Sequence, residues 1–138
     1  MDPAKIRLSS KEQELVIDAG LILTKNAIMR KAWLLLEQLQ EAQQSLLLQY
    51  APLLPAEATK TSAKISKGEN YKGLPYLVLD QPRYFNRDHV LSIRTMFWWG
   101  HFFSTTLHLS GKFKDQYGVH LLDAYRVLGK EDFFICIN

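Results

Sequence analysis

Cysteine is nearly missing from this chain of 138 residues: Cys136 stands alone, so no internal disulfide can form and packing must hold the fold. A reducing, cytoplasmic compartment is the expectation from that usage. The missing thiol pairs also remove the usual zinc-ligand pattern. The four histidines, His89, His101, His108 and His120, show no H-x-x-x-H spacing, so no metal site is expected. Charge of one sign is scarce too. Seventeen basic residues against 14 acidic leave +3 at neutral pH, with no basic arm or tail, and nucleic-acid binding gains no support.

Long apolar runs are equally wanting. The opening MDPAKIRLSS has no hydrophobic signal core, and the most apolar stretch, residues 20–36, is interrupted by Lys25, Asn26, Arg30 and Lys31. Neither a secretion signal nor a membrane span is expected. Motifs for cofactors and nucleophiles are absent as well. The segment SKGENYKG, Ser66 to Gly73, has two glycines and two lysines, but it lacks the G-x-x-x-x-G-K-[ST] spacing. It also leads into an apolar strand, whereas a phosphate cradle needs a helix start, so it reads as a turn between strands. Ser104, Thr105 and Thr106 sit in a strand pattern rather than on a nucleophile elbow, and Cys136 in FFICIN reads as a buried, inert thiol.

What the chain does contain is enough for one folded domain spanning 1–138. Hydrophobic residues at 47% against charged residues at 22% rule out extended disorder, and the length allows one core and no second. Proline is absent between Pro3 and Pro52. Within that window Ser9-x-x-Glu12 has capping-box spacing, which predicts a helix start at Ser10 or Lys11, and Gly20 is where a short first helix can separate. Ile28, Ala32, Leu35, Leu39, Ala42 and Leu46 recur at steps of four and three, the seam of a long helix, and Met29, Trp33, Leu36, Leu47 and Tyr50 widen it. Pro52 and Pro55 stop the helix, and Ala51 to Ser62 reads as a crossover loop.

Strand signals follow. LPYLVLD, Leu74 to Asp80, is an apolar run of strand length with Pro75 at its start. VLSIRTMFWWGHFFSTTLHLSG, Val90 to Gly111, reads as a hairpin turning near Gly100. A two-residue Gly100-His101 turn of type II′ would set Trp99 opposite Phe102, Phe97 opposite Ser104 and His108 opposite Ile93. A short helix ending at Gly129 and a last strand at Phe133–Ile137 complete the reading. The fold class is α+β: a long N-terminal helix packed on an antiparallel sheet with a central hairpin, a short helix and a C-terminal strand.

The polar residues around the hairpin are the candidates for chemistry. Asp80, Arg83, Arg87, Asp88, His89 and Arg94 gather about one loop, and arginine can hold a carboxylate or phosphate with two parallel hydrogen bonds. Exposed local ion pairing is the simpler account of such a cluster. Arg94 differs, since alternation puts it in mid-strand beside Met96 and Trp98. The candidate ligand-binding residues are therefore Arg94, His108, Asp80, Tyr76 and Trp98. Trp98, Trp99, Phe97, Phe102 and Phe103 place rings on both faces of the hairpin tip, more aromatic surface than a monomer commonly exposes.

Two functions of different class are open to such a chain. The preferred expectation is a non-catalytic cytosolic domain that binds partners or assembles, self-associating as a homo-oligomer, a symmetric dimer above all, through its long helix or aromatic hairpin. The alternative is a small enzyme or a protein binding a small anionic ligand in an Arg/His/Asp pocket. Convergence of Arg94, His108 and Asp80 on one concavity would favour the alternative. No cofactor is implied.

Overall fold

A computed structural model describes residues 5–130 and residue 134. The elements run α1 (Ser10–Val16), α2 (Ala19–Gln49), a single 3-10 turn at Ala51–Leu53, α3 (Glu57–Lys60), β1 (Lys64–Tyr71), β2 (Leu74–Phe85), β3 (Val90–Trp98), β4 (Phe102–Ser110), α4 (Lys112–Asp123) and α5 (Tyr125–Gly129). The four strands form one antiparallel meander in the order β1-β2-β3-β4. The α+β class, the long helix and the central hairpin are as expected. The strand expected at Phe133–Ile137 lies outside the described residues apart from Phe134, which is in no strand.

The helical start is set by local chemistry. Ser9 Oγ accepts from the amide of Glu12 at 3.1 Å while the Glu12 carboxylate accepts from the amide of Ser9 at 2.7 Å, closing the capping box. The separation anticipated at Gly20 falls two residues earlier. Asp18 caps α2 by accepting from the Leu21 amide, which satisfies a free donor and starts a new helix.

Helix α2 lies across β1 and β2. Ala32 and Leu36 pack on Leu77 and Leu79, with Met29, Trp33, Leu39, Ile65 and Phe97 around them. The buried line is therefore Met29, Ala32, Leu36, Leu39 and Leu47, rotated from the expected seam. Ile28, Leu35, Ala42 and Leu46 are exposed, because a flat sheet contacts one narrow arc of the helix and these four lie just beyond it.

A second cluster closes the other end of the sheet, where Ala58, Leu91 and Phe113 are buried beneath Tyr84, Leu109 and Tyr117. Its connection depends on Gly111, whose φ of 62° suits glycine and whose missing Cβ leaves room for the Asp88 carbonyl and the His89 ring. His89 Nδ1 there accepts from the Lys112 amide at 2.9 Å. Val119, Leu122, Tyr125 and Val127 are exposed, and α4 docks through Phe113 and Tyr117.

Three strand details differ from expectation. Ser66 to Tyr71 is part of strand β1, and only Lys72-Gly73, both at positive φ, make the turn. Strand β2 runs past Pro82 to Phe85 through an irregularity between Asp80 and Arg83. The β3–β4 turn holds three residues, Trp99, Gly100 and His101, closed by the His101 amide donating to the Trp98 carbonyl at 2.8 Å. Gly100, at φ 84°, occupies the third position of that type II turn instead of the second position of a type II′ turn, and Phe102 takes φ 57° to rejoin the ladder.

Candidate functional site

That added turn residue moves β4 by one place, and a one-residue shift sends every side chain to the opposite face. Trp98 pairs with Phe102, Phe97 with Phe103, Arg94 with Thr106 and Ser92 with His108. His108 therefore shares a face with Arg94, Met96 and Trp98, and not with Phe97 and Ile93 as the shorter turn implied. The ring assignment changes with it: Phe97 and Phe103 meet on the helix side at 5.1 Å.

The face away from α2 carries a cleft of about 710 Å³, lined by Tyr71, Tyr76, Val78 and Phe85 from β1 and β2, by Ser92, Arg94, Met96 and Trp98 from β3, and by Ser104, Thr106 and His108 from β4. Four of the five candidate residues line it, and the fifth, Asp80, stands directly opposite Arg94. Their projection to one side follows from pleat alternation once the register is known: Tyr76, Val78 and Asp80 oppose Trp98, Met96 and Arg94.

The electrostatic centre of the cleft is one pair. Arg94 donates from Nε to Asp80 Oδ1 at 2.8 Å and from Nη2 to Asp80 Oδ2 at 3.0 Å, a two-pronged bond that raises the guanidinium pKa above its ordinary value despite partial burial. The Asp80 side chain is 9% exposed and that of Arg94 is 53% exposed, so the carboxylate is sealed below while the outer guanidinium edge faces the cleft.

Its aromatic end is held as firmly. Trp98 donates from Nε1 to the Tyr71 carbonyl at 3.1 Å, His101 stacks on the indole at 3.8 Å, and Tyr71 meets it edge-on at 4.7 Å. Tyr76 reaches across β1 over Gly68, where any Cβ would meet its ring. That glycine and Ser92 carry no sequence motif and escaped the sequence reading. Alternation from Trp98 and Arg94 does lead to Ser92, whose hydroxyl is buried and has no partner among the described residues.

The rest of the expected polar cluster is dispersed. Arg83 is in β2, where its amide donates to Thr61 Oγ1 and its guanidinium to Ser62, so it fastens the entering loop. His89 serves the α4 turn, and the Asp88 amide donates to Asn86 Oδ1. Among the described residues no group of His, Cys, Asp or Glu is placed to hold a metal ion, and no helix is long and apolar enough to cross a membrane.

A second surface lies on the other side of the sheet. Beside α2, the helix-side residues Phe103 and Leu107 of β4 are 44% and 45% exposed, and the neighbouring helix flank leaves Leu35 53% and Leu46 52% exposed. The same helical arm continues outward: α1 has no buried residue, and Val16, Ile17 and Leu23 are largely exposed. Comparison of the chain with protein-family models, curated proteins and solved structures finds no match.

Proposed function

We propose that this protein is a non-catalytic cytosolic assembly domain that pairs with a second copy of itself through the outer flank of α2 and the adjoining strip of β4, while the meeting of Arg94, His108 and Asp80 about the cleft supports ligand binding as a separate role of the opposite face. The observation that carries this reading is the exposed surface. The chain presents 10966 Å² to solvent, whereas a folded monomer of 16.0 kDa presents about 7,400 Å². Even if the residues outside the description contributed an extended chain's full surface, about 2,000 Å², the excess would stay above about 1,000 Å². Obligate homodimers bury roughly 1,000–2,500 Å² per subunit.

The residues on the flank suit that occupant. Ile28, Leu35, Ala42 and Leu46 form one stripe, and Leu35 lies next to the midpoint of α2. A two-fold axis through the middle of the helix sets such a residue against its own counterpart, as an isologous interface requires. The single cysteine supports the cytosolic setting.

Sedimentation equilibrium tests the proposal. The wild-type chain should be dimeric at micromolar concentration, and Leu35→Glu should be monomeric with an unchanged helical circular-dichroism signal. A wild-type monomer at about 100 μM, where a dimer of micromolar affinity would be nearly fully formed, overturns it. A Leu35→Glu variant that stays dimeric moves the contact away from this flank.

A further inference from the structure

The cleft on the opposite face is built along one axis, and its chemistry changes along that axis. From Trp98 to Arg94 is four strand residues, about 13 Å. At one end stand Trp98, Tyr71 and Tyr76, in the middle Met96 and Val78, and at the other Arg94 with Ser92 and His108. The first two groups are apolar and held by their neighbours, while the last offers hydrogen-bond donors. Ser92, 1% exposed, belongs to the lining beneath the cleft, and its buried hydroxyl has no partner among the described residues.

We infer that this cleft binds a medium-chain organic carboxylate, with the head group on the free edge of Arg94 above Ser92 and the chain lying along Met96 and Val78 toward Trp98. Asp80 occupies Nε and one Nη2 hydrogen, leaving the Nη1 donors for a second carboxylate. Because Asp80 already neutralises the arginine, the head group gains directed hydrogen bonds more than net charge. Burial of the chain against Met96, Val78 and Trp98 supplies the remainder. A phosphate or a dicarboxylate fits less well, since one compensated arginine faces a mostly apolar lining. This site is on the sheet face opposite the α2 flank and does not depend on pairing of two copies.

Nuclear magnetic resonance titration of the full chain with octanoate, 1-octanol and acetate tests it. Octanoate should shift the Trp98 indole and Met96 methyl signals and bind at least tenfold tighter than either of the others. Arg94→Gln combined with Asp80→Asn removes the charge pair together, so neither group is left buried and alone. In that variant octanoate should fall to the affinity of octanol. Met96→Glu, which leaves the pair intact, should weaken octanoate at least tenfold. Equal affinity for octanoate and octanol in the wild type overturns the inference. So does an unmoved Trp98 signal at about 10 mM, which would saturate a site of millimolar affinity, or shifts confined to Ile28 and Leu35.

Discussion

Asp80 and Arg94 are direct cross-strand partners, and the buried carboxylate is held by a guanidinium that remains half in solvent. The asymmetry sets what each contributes. Removing the arginine strands a carboxylate with little access to water, whereas removing the aspartate frees a cation that solvent can reach. Arg94→Ala should therefore cost about 1–3 kcal/mol, the penalty of an unmade bond to a buried polar group. Asp80→Ala should cost less. Urea melts of both variants and of the double variant measure the coupling, and additive losses would show that the pair does not act as a unit.

Leu35 and Leu36 are neighbours in sequence with opposite fates. Leu36, 1% exposed between Leu77 and Leu79, should lose about 2–5 kcal/mol on substitution by alanine, from lost transfer energy and the cavity left behind. Leu35→Ala should leave the stability of the isolated fold within about 0.5 kcal/mol, as for ordinary surface positions. Melts performed at high dilution, where association does not contribute, separate the two. Equal losses would place both leucines in the same core.

Gly68→Ala should displace the Tyr76 ring, because the new Cβ occupies the space the ring now fills. Overpacking of this kind costs about 1–3 kcal/mol. Combining it with Tyr76→Ser should recover most of the loss by removing the obstructing ring. A double variant no more stable than Gly68→Ala alone would locate the cost elsewhere in β1.

The Glu57–Lys112 pair, at 2.8 Å, ties α3 to α4 and gives their junction a pH profile. The bond from Lys112 holds the Glu57 pKa below its ordinary value, and the bond to Glu57 holds that of Lys112 above its own. The Glu57 contribution is present above about pH 4.3, the unfolded value, and fades as pH falls through the lower folded one. The Lys112 contribution is complete below about pH 10.4 and fades as pH rises through the higher folded value. Amide exchange at the start of α4 should thus be slowest between these limits, and Glu57→Gln should flatten the acid side. An acid side unchanged by that substitution would exclude the pair as its source.

Much of the architecture is legible in the residue order because its causes are local. The Ser9–Glu12 box, the proline-free span before Pro52, the apolar alternation after Leu74 and the glycine at position 100 act within a few residues of themselves. They determine helices, strands and the hairpin, and so the α+β class. Residues can also be nominated by alternation alone, which is how Arg94 and Trp98 stand out in mid-strand.

Relations between elements were decided only in the tertiary structure. The arc of α2 that is buried depends on its angle across β1 and β2, so Leu36 and not Leu35 enters the core although both belong to apolar stripes. The partner of Arg94 depends on how β2 and β3 align, and the side on which His108 falls depends on a turn of three residues instead of two. Strand periodicity is two, so the sequence carries the alternation within β4 but leaves its phase to the turn. A single residue there decides whether histidine and arginine share a cleft or stand on opposite faces of the sheet.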